Sequence, residues 1–222
     1  MRLPHPPAAV VFDMDGLLFD TERLYEEATL AAVAELGCEM SLAFFRSTIG
    51  SAWPVIRARL LDHYGPAFAA EELRTTARQR FNDLVDHDVP VKPGALELLD
   101  LLDELRLPRA IATTSSRPTV LHHLGRHGLA DRFHHIVAHG DYTLAKPEPE
   151  PFLKAAGHLG VEPGFCLALE DSHNGVRSAS AAGMMTVMVP DLLPPTDEIQ
   201  RLCLHVVPDL HHVHRLIVDT VA

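Results

Sequence analysis

The chain has 222 residues, with 19 Lys and Arg against 30 Asp and Glu, for a formal net charge of −11. Hydrophobic residues make up 47% and charged residues 22%, a composition that excludes a disordered or fibrous chain. The acidic balance argues against a nucleic-acid partner, which needs a basic footprint, and no apolar stretch approaches the roughly 20 residues of a membrane helix.

Ala8 to Phe12 is a continuous apolar run, the pattern of a strand buried on both faces. The polar cluster Asp13 to Gly16 follows it. Glu22 to Leu36 then reads as a helix closed by Gly37. Helical patterning continues through Trp53 to Tyr64 and Ala69 to Val85, and no strand is expected between residues 17 and 87. The pattern changes at Val91-Lys92-Pro93-Gly94. Beyond it, helices are expected over Ala95 to Leu105, from Pro118 onward, over Phe152 to Leu159 and over Gly175 to Ala182. Strands are expected at Arg109 to Thr113, His135 to Ala138, Phe165 to Leu169 and Met185 to Val189. A last strand, His205 to Val207, precedes a helix from Asp209.

Alternating strands and helices imply an α/β fold, a Rossmann-like parallel sheet with helices on both faces. The all-helical block interrupts it after the first strand. The expected domains are therefore a core of residues 1-16 and 88-222 and an inserted helical domain of residues 17-87. Sites in open parallel sheets form beyond the carboxyl ends of the strands. That rule gathers Asp13 and Asp15, Thr113 to Ser116, the Lys146 loop, and Glu170-Asp171-Ser172 on one rim. Clustered carboxylates repel unless a cation neutralises them, and hard oxygen ligands select Mg²⁺. A hydroxyl and an ammonium suit the oxygens of a phosphate. A nucleophilic carboxylate beside a second carboxyl that carries a proton makes a set for phosphoryl transfer.

The three cysteines, Cys38, Cys166 and Cys203, have no metal-ligand spacing and read as free thiols of a cytoplasmic protein. The N-terminal segment has no signal-peptide pattern. The dense histidine groups, His122-His123-His127, His134-His135-His139 and His211-His212-His214, read as helix or strand surfaces rather than metal ligands. Tyr25, Phe45 and Trp53 read as core of the helical insert.

Asp13-Met-Asp-Gly16-Leu-Leu-Phe-Asp20-Thr21-Glu22 resembles the first motif of the haloacid-dehalogenase-like hydrolase superfamily. Ile111-Ala-Thr-Thr-Ser-Ser116 resembles the second, Lys146-Pro-Glu-Pro-Glu-Pro the third, and Leu169-Glu-Asp-Ser-His-Asn-Gly175 the fourth, all in family order. The insert resembles the cap of the subfamily that holds β-phosphoglucomutase, phosphoglycolate phosphatase and pseudouridine-5′-phosphatase.

The resemblance implies a Mg²⁺-dependent phosphatase acting on a small phosphorylated metabolite through an aspartyl-phosphate. Asp13 would be nucleophile and metal ligand. Asp15 would be general acid and base, its main-chain carbonyl binding the metal. Thr114, preferred over Thr113, would bind phosphate with Ser115 and Lys146. Asp171 would complete the metal site, with Glu170 as a direct or indirect partner. Asp15 favours phosphoryl transfer over dehalogenation. Residues 17–87 contain no lysine, which removes the Schiff-base chemistry of phosphonate cleavage. Tyr25 stands where β-phosphoglucomutase carries a histidine, which favours phosphatase over the mutase alternative. The alternative of another class is a non-catalytic ligand-binding protein of the same fold. A monomer or weak dimer is expected.

Overall fold

The computed structural model describes residues 1–49, 51, 53–87 and 89–221. The chain forms two compact units, Met1–Phe19 with Val91–Ala222, and Asp20–Pro90.

The first unit begins with β1 (Ala9–Phe12), all four residues buried. The second unit holds α1 (Thr21–Glu35), α2 (Leu42–Thr48), α3 (Trp53–Tyr64) and α4 (Ala70–His87). The first unit resumes with α5 (Ala95–Glu104), β2 (Arg109–Ser116), α6 (Arg117–Arg126) and β3 (His135–His139). It continues with α7 (Glu150–Leu159), β4 (Cys166–Glu170), α8 (His173–Ala181) and β5 (Met185–Met188). It closes with α9 (Asp197–Leu202), β6 (His205–Val206) and α10 (Leu210–Val221).

Among the described residues, the strands form one parallel sheet in the order β3-β2-β1-β4-β5-β6. This is a Rossmann-like core with an inserted helical cap. Strands buried on both faces carry no alternation, which is why they read as apolar runs. On one face, small residues of the strands (Ala9, Ala110, Ala112 and Ala168) make room for Phe152 of α7 and Ala179 of α8. Elsewhere in this unit α10 packs on α5. The strand order reverses at β1, between β2 and β4. A crevice for ligands opens at such a switch point, past the strand ends.

The helical unit has its own core. Ala32, Val33, Leu60, Leu73 and Ala77 pack together, with Phe44, Trp53, Ile56 and Tyr64 against them. Ser41 caps α2 by accepting from Phe44 N. Phe45 is buried, Trp53 lies against the core, and Tyr25 departs from the expected core role: its ring meets Phe45 and Phe81 but stays exposed.

Three further details differ from expectation. β2 runs on through Thr113 to Ser116, because Ser116 pairs with His139 after a register shift. The six-residue α9, capped by Thr196, was not among the expected elements. His123 does not lie on a surface. It is 1% exposed, on the inward stripe of α6 with Val120 and Leu124, and its ring tilts against Phe19 at 5.6 Å. Burial holds its pKa below the ordinary histidine value. Among the described residues, no helix is long and apolar enough to cross a membrane.

Candidate active site

The parallel ladder fixes the heights of the strand ends. Phe12 pairs with Leu169, and Asp13 N donates to the Leu169 carbonyl at 2.9 Å. Asp13 therefore leaves β1 beside the point where Glu170 ends β4. Glu170, Asp171 and Ser172 pass into α8, whose N-cap is Ser172.

Glu170 is the anchor of this corner, with a side chain 0% exposed. Its Oε2 accepts from the backbone N–H groups of Asp171 and Ser172, both at 3.1 Å, and from Ser172 Oγ at 3.0 Å. Oε1 accepts from Lys146 Nζ at 2.5 Å. A Cβ on Gly175 would collide with this carboxyl group, so a side chain at that position would displace it. The N-terminus of α8 adds a favourable dipole.

Lys146 reaches in from the loop before α7. Its Nζ donates to Asp13 Oδ1 at 2.5 Å as well as to Glu170, and it lies 4.9 Å from the Phe152 ring. The three side chains are nearly shut from solvent: Lys146 is 5% exposed and Asp13 10%. Burial opposes the ammonium form, yet the adjacent Asp13 and Glu170 outweigh it and hold the Lys146 pKa above the ordinary lysine value. Burial pushes the Asp13 carboxyl up to about 8; Lys146 pulls it down, while Glu170 and Asp15 push it further up.

Asp171 completes the cluster. Ligand atoms of Asp13, Glu170 and Asp171 all lie within 4.8 Å of one another. Gly16 makes the close approach possible: its φ is +82°, and a Cβ there would collide with Asp171 Oδ2. Lys146 pairs with two of these three buried carboxylates, Asp13 and Glu170, so a cluster of negative charge stands at one point. All the candidate ligands are hard oxygens. Both features fit a divalent cation of the magnesium type.

Asp15 has a different setting. It is half-buried, and its Oδ2 accepts from Ser115 Oγ at 2.7 Å, with Thr113 Oγ1 at 3.5 Å. Ser115 N in turn donates to Thr113 Oγ1 at 3.0 Å. The structure thus brings together Asp13, Asp15, Ser115, Lys146, Glu170 and Asp171. Thr114 alternates away from Thr113 and Ser115, and its side chain is exposed. Thr113, set second to Thr114 in the sequence, is the threonine that meets Asp15.

Two residues at this rim escaped the sequence reading as site residues. Lys92 Nζ donates to Asp191 Oδ1 at 2.8 Å, and Asp191 approaches Gly16 from the end of β5. They stand 99 positions apart, and neither local segment carries a motif for the pair.

A family model for haloacid dehalogenase-like hydrolases matches residues 10–189. The chain is 37% identical over 188 residues to a Drosophila melanogaster protein named "Probable pseudouridine-5'-phosphatase", across 82% of this chain and 80% of that one. It is 32% identical over 197 residues to "Hexitol phosphatase B" of Escherichia coli K12, across 86% of each. Among solved structures, a "putative beta-phosphoglucomutase" from Thermotoga maritima superposes with a TM-score of 0.79 at 25% identity, covering 95% of this chain and 98% of that one.

Proposed function

This chain belongs to the haloacid dehalogenase-like hydrolases, and on that premise we propose that it is a Mg²⁺-dependent phosphatase of a small phosphomonoester, of the sugar or nucleoside type. The observation that carries the reading is the contrast between two carboxylates two residues apart. Asp13 is buried against Lys146, and Asp15 is half-buried on a serine hydroxyl. Paired carboxyl groups in unlike environments divide nucleophile and proton-transfer roles between them.

Asp13 attacks the phosphorus and takes the phosphoryl group as an aspartyl-phosphate. The bond to the ester oxygen breaks, and Asp15 gives that oxygen its proton. Asp15, now ionised, takes a proton from water as the water attacks the phosphorus, and inorganic phosphate leaves with Asp13 restored. Lys146 steadies Asp13 and meets phosphate oxygens as a point charge. Ser115 and the exposed hydroxyl of Thr114 would bind the same group from the end of β2, while Thr113 stays with Asp15. Asp13, Asp171 and the Asp15 carbonyl would hold the cation. Glu170, with both oxygens already accepting hydrogen bonds, orients the neighbouring groups. When bound, magnesium supplies neutralising charge to the carboxylates and the transferring phosphoryl group.

The hydrolase names of the curated relatives support this reading. The mutase alternative needs a cap group that exchanges protons near neutral pH. A phenol titrates at about 10, far from neutral, and partial desolvation with the nearby Glu22 carboxylate holds Tyr25 higher still. The free thiols of Cys38, Cys166 and Cys203 suit a reducing, cytoplasmic compartment. Hydrolysis of p-nitrophenyl phosphate should require Mg²⁺ and vanish in Asp13→Asn. Activity that persists in chelator, or in that variant, overturns the reading.

A further inference from the structure

Asp191 follows β5, and Lys92 follows Val91, which bridges to Phe19 where the chain returns from the helical unit. Lys92 N donates to the Leu18 carbonyl at 2.9 Å, which fixes the root of its side chain. The ion pair is well sheltered, with side chains 20% and 11% exposed. Its second carboxylate oxygen, Asp191 Oδ2, would lie 3.2 Å from a Cβ on Gly16, and the same point collides with Asp171 Oδ2. Both oxygens thus crowd one point of the chain, on the order of 6 Å or less from each other.

We propose that Lys92 and Asp191 are positioning residues for the divalent-cation site: Asp191 adds negative charge behind Asp171, and Lys92 sets how much of it the cation feels. The inference rests on the magnesium reading above and adds two residues to it. Charge at this range acts through space without direct ligation, and sheltered charges are poorly screened by salt. The two members of the pair then have opposite effects on cation affinity. A pair that merely stapled β5 to the stem of the insert would have effects of one sign, because losing either member undoes the same staple.

The test is calorimetric titration of Mg²⁺ into the metal-free full chain, with no substrate present. Asp191→Asn should weaken binding roughly tenfold or more, since one unit charge acts on a dication at about 7 Å by about that factor even at the dielectric of water. Lys92→Met should tighten binding by a similar factor. The double variant should return close to the parent. Asp191→Ser and Lys92→Gln replace the first variants if either melts near the titration temperature. Equal weakening by both single variants, or no change in either, overturns the inference. Asp171→Asn separates the two levels of the argument. If it binds Mg²⁺ like the parent, the cation site itself falls and this inference falls with it. If it loses binding while Asp191→Asn does not, only the Lys92–Asp191 role is refuted.

Discussion

Replacing Lys146 with methionine removes the ammonium that pairs with Asp13 and Glu170. The two carboxylates then share a pocket in which Glu170 is 0% exposed, with no counter-charge at 2.5 Å. Breaking a buried pair by deleting one partner costs about 3–5 kcal/mol. A second route caps that cost, because one carboxyl can take up a proton. At pH 7, protonating a group of ordinary pKa near 3.9 costs roughly 4 kcal/mol. Asp13 is the candidate, since burial and the neighbouring carboxylates push it toward the neutral form and Lys146 is what opposes them. We therefore expect a loss of about 3–4 kcal/mol in metal-free protein, or roughly 10 °C in melting temperature for a chain of this size. Mg²⁺ should restore more to the variant than to the parent, since it meets a more negative site and binds the folded state only. The assay is differential scanning calorimetry with chelator and with saturating Mg²⁺. An unchanged melt in chelator, or equal Mg²⁺ shifts in the two proteins, would refute the charge argument.

Two other substitutions probe the scaffold. Gly16→Ala places a methyl group into Asp171 and forces a side chain into φ +82°, so it should lower stability by about 1–3 kcal/mol and weaken Mg²⁺ binding in calorimetric titration. His123→Leu tests a buried neutral ring. Its folded pKa is depressed, so the unfolded chain binds more protons as pH falls below about 6.5, and stability drops on that side. The variant should show a flatter loss of melting temperature between pH 7 and pH 5 than the parent. A parallel slope in both proteins would place the acid sensitivity elsewhere.

The strand ends were legible because a doubly covered strand is an unbroken apolar run, and Asp13 and Glu170 interrupt such runs abruptly. The parallel sheet and the inserted cap followed from the same alternation, whereas the order of the strands did not. His123 was hidden by its neighbours: the density of histidines on α6 obscures the i, i+3, i+4 stripe it shares with Val120 and Leu124. The helix α9 is too short for periodicity to mark it. Thr113 and Ser115 share one side of β2 by simple alternation, yet which threonine faces Asp15 depends on how β2 lies beside β1, which no local pattern encodes. Lys92 and Asp191 meet only through the tertiary fold.

The bridge between Phe19 and Val91, with Asp20 N donating to the Pro90 carbonyl, means that the insert leaves and rejoins the sheet at one narrow neck. To the catalytic framework, the whole helical unit is a closed loop whose ends are already tied. Loop-closure entropy grows only as the logarithm of length, so doubling such a loop costs about 0.6 kcal/mol. The framework can therefore host inserts of other sizes and surfaces at little thermodynamic penalty. Exchange of the unit between relatives, cut at this neck, should leave the fold of the strand-bearing unit unchanged.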